Sequence, residues 1–242
     1  PEMPAITVHA GFADHPDDAQ ALRSTHAADT ISRGIAQGLI DYFATRDGTT
    51  AHRIPPTPQS VAVRQTGQDA IEVEWTEPPS TALTDAPTGY RIYTSPDGYA
   101  FDPGFDVQGT THTIDGLAPG EVVYLRVSSM NDAGVSRPSP VVGVHLDDDG
   151  EPDVLVVTGF SRQDLTFVDQ VGSDNIARPW RRRTNDGRYV ARHGQAIRGA
   201  ERSFASATDG AVADVLVALD GFAVVDWFTG GESTSSVPFD QD

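Results

Sequence analysis

The sequence predicts a multidomain chain: an antiparallel β-sandwich in the middle, flanked on one side by a partial α/β tail and on the other by a partial parallel α/β domain. Three observations predict it. Between residues 58 and 146, apolar and polar residues alternate in short runs separated by turn signals, the period of half-buried strands. Before that stretch, apolar residues recur at every fourth position, the period of one helix face. After it, a continuous apolar run, a helical pattern and a second apolar run follow in order, which reads as a βαβ unit with a parallel sheet. Two breaks separate the parts. Residues 49–57 end on Pro55 and Pro56, with Pro58 directly after, which forbids helix and favours an extended linker. Residues 147–153 are an acidic run with Gly150 and Pro152, the composition of an exposed hinge. The predicted parts are therefore 1–48, 58–146 and 154–242.

In the first part, residues 5–8 form a short β-branched strand candidate ahead of Gly11-Phe12. Asp14 is a plausible helix N-cap, with acidic residues in the turn after it. Ile31, Ile35, Leu39 and Phe43 then mark an amphipathic helix over 25–43. A strand and two helices cannot enclose a core, so this part reads as the end of a larger domain. The start at Pro1, without Met or leader, fits a processed or excised piece.

Met3-Pro4-Ala5-Ile6-Thr7-Val8-His9-Ala10-Gly11-Phe12, the turn Asp14-His15-Pro16-Asp17-Asp18, and Ala36-Gln37-Gly38-Leu39-Ile40-Asp41-Tyr42-Phe43 together resemble the C-terminal tail of secreted zinc-dependent N-acetylmuramoyl-L-alanine amidases of the family 3 type. The resemblance covers roughly the first 43 residues. It implies a parent that cleaves peptidoglycan and holds zinc through ligands upstream of this chain, so that no metal site lies within it. In that family the strand position before the small residue and Gly-Phe carries a catalytic Glu; here it is His9. A neutral imidazole can accept a proton near pH 7 but lacks the carboxylate's charge. His9 is therefore the one catalytic candidate, against its reading as an ordinary strand-end polar residue. His15 and His26 stand at spacings that match no compact metal motif and read as solvated histidines.

In the middle part, Val61 and Val63, then Ile71, Val73 and Trp75, then Tyr90 and Ile92, then Val123, Leu125 and Val127 mark inward positions. Turns at Gly67, Asp97-Gly98, Pro119-Gly120 and Asn131-Asp132-Ala133-Gly134 divide about seven short strands, as in a sandwich. Trp75 closing the second strand, Gly89-Tyr90-Arg91-Ile92-Tyr93, Ile114-Asp115-Gly116-Leu117-Ala118-Pro119-Gly120 and Asn131-Asp132-Ala133-Gly134-Val135-Ser136 resemble a fibronectin type III domain across the whole part. Alternation places Val123, not Tyr124, at the inward position where that family usually holds its corner tyrosine. Such a domain is a spacer or a binding module. Tyr93, Tyr99 and Phe101 could stack on sugar rings, or simply cover a sheet edge and loop.

In the last part, residues 153–160 are a buried strand, 185–200 a helix, 207–213 a second helix and 221–228 the next strand. Leu155-Val156-Val157-Thr158-Gly159-Phe160-Ser161-Arg162 and Asp226-Trp227-Phe228-Thr229-Gly230-Gly231-Glu232-Ser233 resemble the start of the xanthan-lyase-like α/β domain that follows a fibronectin-like module in secreted bacterial proteins, with a flavodoxin- or amidotransferase-like sheet. That resemblance carries no defined activity. Loops 158–162 and 229–233 occupy the positions where α/β sheets place ligands. There is no Gly-x-Ser-x-Gly elbow.

Composition narrows the classes. The formal net charge is −18, and all 17 basic residues are arginine. That argues against a nucleic-acid partner and fits an acidic surface suited to a salty or extracellular setting. Cysteine is absent, which excludes disulfides and thiolate chemistry. No apolar run is long enough to span a membrane. The acidic hinge lacks the spaced ligands of a calcium loop. Nine of the 17 arginines fall between Arg162 and Arg202, a locally basic stretch that could meet an anionic glycan or form internal ion pairs. The expected function is thus a piece of a secreted, periplasmic or surface cell-wall hydrolase, inactive alone, with peptidoglycan or another cell-surface glycan as partner. The alternative is a non-catalytic glycan-binding surface protein with a degenerate amidase domain.

Overall fold

A computed structural model of the chain describes residues 6–12, 14–22, 25–146, 150, 152–160, 168–171, 176–179 and 187–230. In chain order the elements are α1 (Pro16–Leu22), α2 (Thr25–Asp47), β1 (Val61–Gln65), β2 (Ile71–Trp75), β3 (Gly89–Ser95), β4 (Phe105–Val107), β5 (Thr111–Ile114), β6 (Val122–Asn131), β7 (Gly134–Val135), β8 (Val142–His145), β9 (Val154–Thr158), β10 (Val168–Val171), β11 (Ile176–Pro179), α3 (Tyr189–Gly199), β12 (Phe204–Thr208), α4 (Asp209–Ala213) and β13 (Val224–Phe228). They fall into two compact units. One comprises residues 1–51 and 163–184, the other 52–162 and 185–242.

In the first unit α1 begins at Pro16, not after Asp14. Proline's fixed φ and missing N–H suit the first helical position, and the His15 carbonyl accepts from the Ala19 amide at 2.9 Å. The acidic first turn is Asp17 and Asp18, and Asp18 Oδ2 accepts the Phe12 amide at 3.0 Å. Residues 6–12 form no strand: a single β-branched run has no ladder without a partner strand. Helix α2 extends past Phe43 to Asp47. It stops at Gly48, whose φ of +66° is left-handed. The Thr49 amide donates back to the Ala44 carbonyl at 2.9 Å, closing the helix end. The antiparallel hairpin β10–β11 belongs to the same unit.

In the second unit β1, β2 and β5 form one antiparallel layer, and β4, β3, β6 and β8 the other. Between them lie Val61, Val63, Ile71, Val73, Trp75, Tyr90, Ile92, Val123, Leu125, Val127, Val142 and Val144. Trp75 and Tyr90 meet edge to face, with centroids 5.1 Å apart. This is the sandwich that the period-2 pattern predicts.

The strand β12 departs from expectation. The middle of its sequence Phe-Ala-Ser-Ala-Thr has little β-propensity, and only a helix is foreseen in that region. Yet every one of its residues is buried. One of its edges runs parallel to β9 from Phe204↔Val154 to Thr208↔Thr158. The opposite edge pairs antiparallel first with β8 at Phe204↔His145 and then with β1 at Ala62↔Ala207 and Val63↔Ser206. Small side chains are what this position admits. The Ser206 hydroxyl accepts the Gly143 amide, and the Thr208 hydroxyl accepts the Val61 amide at 3.0 Å. Tertiary pairing overrides local preference here. Strand β13 adds to the far side of β9, also parallel, so the parallel part runs β12–β9–β13 and continues the sandwich sheets through β12.

Helix α3 lies on one face of this continuous sheet. Val190 and Ala191 pack with Val122, Tyr124, Val141, Val154, Val156 and Phe204. The other face carries Ala62, Leu155, Val157, Ala207 and Ala211, with Trp227 against them. Val123 therefore points into the sandwich and Tyr124 out of it, as the alternation requires. No helix among the described residues is long and apolar enough to cross a membrane.

Candidate functional site

Three places carry chemistry. The first is the aromatic group on the outer face of the sandwich. The guanidinium of Arg126 sits 4.1 Å from the Phe101 ring centroid and 5.0 Å from that of Tyr93, and Arg188 sits 5.3 Å from that of Tyr99. Burial holds the Arg126 pKa below its ordinary value. Its Nε has no hydrogen-bond partner, so the cation rests on the two rings instead. The loop that presents Tyr99 is shaped by Asp97, whose Oδ1 accepts the amides of Tyr99 at 2.7 Å and Ala100 at 2.9 Å. The Ala100 and Tyr99 amides hold the Asp97 carboxyl below the usual carboxylate range. Arg126 thus covers one face each of the Tyr93 and Phe101 rings, a face that a sugar would otherwise meet.

The second place is the carboxyl end of the parallel strands. The Gly159 amide donates to the Phe228 carbonyl at 3.0 Å, drawing the ends of β9 and β13 together. Gly230 has φ +58°, and any Cβ there would collide with the ring of Phe160. Phe160 is itself buried and faces Tyr189 at 5.7 Å between centroids. The two strand ends hold a packed aromatic ring. Beneath it the Thr158 hydroxyl is buried with no hydrogen-bond partner, a cost of about 1–3 kcal/mol for such a group. Residues 161–162 and 231–233 of the two expected ligand loops lie outside the described residues.

The third place was not singled out by the sequence. His193 on α3 and Asp226 on β13 meet with Nδ1 and Oδ2 2.6 Å apart. Their side chains are 30% and 35% exposed. The imidazole stacks on Phe228, with centroids 4.3 Å apart and planes 20° from parallel. They stand far apart in sequence. Only the parallel pairing of β13 and the packing of α3 on that face bring them together.

Of the expected site residues, His9 is exposed and outside any helix or strand. His15 lies 3.9 Å from Asp18, and the side chain of His26 lies outside the described residues. Among the described residues no three His, Asp or Glu side chains converge on a metal position.

Comparison with known proteins matches the fibronectin type III domain family to residues 56–145. Among solved structures, the sixth fibronectin type III domain of human fibronectin type III domain containing protein 3 is 23% identical, covering 40% of this chain and 91% of that one, with a TM-score of 0.35. The FN1–FN3 domains of chicken CNTN1 are 22% identical over 38% of this chain and 31% of that one, with a TM-score of 0.33. The FN5 domain of Drosophila Lar is 20% identical over 39% of this chain and 98% of that one, with a TM-score of 0.30. No curated protein matches the chain. With the two sheets, the Trp75-centred core and the family match in hand, residues 56–145 are a fibronectin type III domain.

Proposed function

We propose that the fibronectin type III domain of this chain is a spacer that braces its C-terminal neighbour, within a secreted bacterial protein of the cell envelope. The observation that carries the spacer reading is the pairing of β12 with both β1 and β8. Together with Arg126 across the aromatic rings, it leaves the β1 and β8 edges and the face around Arg126 engaged in internal packing. Roughly the first 43 residues support the rest of the reading: their order of turn and helix ending resembles the tail of a zinc-dependent N-acetylmuramoyl-L-alanine amidase. The parent would then cleave the bond between the muramoyl lactyl group and L-alanine, using zinc held by residues outside this chain. The described residues gather no set of ligands that fits zinc.

A second reading follows from His9, which stands where those amidases carry glutamate. It makes the protein a non-catalytic glycan-binding surface protein. One experiment separates the two. The parent gene product is assayed for bound zinc and for release of muramyl peptides, with and without His9→Glu. Zinc and hydrolysis support the amidase. Neither zinc nor hydrolysis, with retention on purified peptidoglycan, supports the binding reading. Loss of all three removes the cell-wall assignment.

A further inference from the structure

We propose that His193 and Asp226 form a hydrolytic centre in which the imidazole activates water against esters with apolar substituents. An ionised carboxylate can only accept, so at 2.6 Å the Nδ1 of His193 donates its hydrogen to Asp226 Oδ2. That fixes the tautomer and leaves the Nε2 lone pair as the ring's base, with no hydrogen bond to another described residue. The ring plane is fixed as well, by its stack on Phe228. With 30% of the His193 side chain exposed, water and a small substrate reach it. A base whose proton-bearing nitrogen is held by a carboxylate, and whose other nitrogen is open, is the arrangement that general-base catalysis requires.

The surroundings choose the substrate. Phe228 stacks on the imidazole and meets Tyr189 with centroids 6.3 Å apart, while the Arg192 guanidinium lies 5.5 Å over the Tyr189 ring; this aromatic border suits an aryl or alkyl group next to the reacting carbonyl. The pair itself supplies no oxyanion donor, since its one donated hydrogen goes to Asp226, so the leaving group must depart without that help. An ester of an acidic alcohol meets that condition and an amide does not. In the step, Nε2 takes a proton from water as the water oxygen bonds to the carbonyl carbon. The tetrahedral adduct then breaks its bond to the alkoxy oxygen, which leaves with the proton returned by Nε2. Water and ester give acid and alcohol. His193 is the catalytic residue and Asp226 a positioning residue. This centre lies within 154–230 and is independent of the amidase reading of residues 1–48.

The test uses the whole chain with p-nitrophenyl acetate as probe. Hydrolysis should rise with pH through a single ionisation to a plateau and fall on the order of 10²-fold in His193→Asn. It should fall by a smaller factor in Asp226→Asn, with that loss in kcat and not in KM. Circular dichroism confirms that each variant folds. In the unaltered protein, carbethoxylation of His193 by diethyl pyrocarbonate, mapped by mass spectrometry, should abolish the activity in step with modification, and hydroxylamine should restore it. Equal rates for the unaltered protein and folded His193→Asn, or activity that survives full modification of His193, overturn the proposal.

Discussion

Strands β2 and β6 line opposite walls of the same core, yet they are built differently. In β2, Ile71, Val73 and Trp75 are buried in the sandwich, while Glu72 and Glu74 face outward to Arg64. In β6, Val123, Leu125 and Val127 fill the sandwich, and Val122 and Tyr124 on the other face lie under α3. One strand has a wet face; the other is dry on both. The apolar residues at both alternating positions of Val122-Val123-Tyr124-Leu125 therefore record a second layer above the sheet. The corner tyrosine of other fibronectin domains has no counterpart here, since Tyr124 serves the roof: its hydroxyl donates to the Ala191 carbonyl at 3.4 Å, and burial pushes its pKa up to about 12.

Removing the roof contact should have the largest effect. Tyr124→Ala should cost about 3–5 kcal/mol in urea or guanidinium unfolding. A cost under about 1 kcal/mol, within the range of surface changes, would show that the two walls are alike after all. Gly194→Ala comes next. A Cβ there would lie 2.5 Å from the Phe204 ring and 2.8 Å from the Tyr124 hydroxyl, so overpacking of about 1–3 kcal/mol should exceed the gain in helix propensity. A rise in thermal midpoint would mean that α3 is loosely seated.

Smaller still is the tether of the loop after α4. The Thr76 hydroxyl donates to Asp214 Oδ2 at 2.7 Å; this bond, then one from Ser60, holds the Asp214 carboxyl below the usual carboxylate range. A lowered folded pKa means that the contribution is complete above the unfolded carboxylate pKa and fades as pH falls through the folded value. Asp214→Asn should therefore unfold more easily than the unaltered protein at neutral pH, with the gap closing in acid. A gap independent of pH would exclude the ionised carboxylate as its cause. Smallest of all is Glu72→Ala on the wet face, expected within about 0.5 kcal/mol by the same unfolding measurement, and less in high salt.

What was legible follows the same contrast. The core positions of β1, β2, β3 and β6 could be read from alternation, because a strand with one wet face writes its burial into every second residue. Helix α2 was legible up to its end, where Gly48 and the backbone of Thr49 and Ala44, not the apolar stripe, set the stop. Strand β12 was not legible. Its burial comes from neighbours on both edges, and its central Ala205-Ser206-Ala207 carries no apolar alternation to signal it. His193 and Asp226 were invisible for a related reason. A pair joined across helix and strand leaves no spacing in sequence, and only the β13–β9 register places it.

The seam at β12 also limits how this module can be inherited. A fibronectin cassette that closes on itself can be cut from one gene and pasted into another. Here the span from Val61 to His145 is completed by a strand encoded well downstream. A recombination event that moved the cassette without Phe204–Thr208 would expose the amide of Val61 and the amide of Gly143 together. A sandwich built without Phe204–Thr208 would have to satisfy those two amides with water or with a new partner strand.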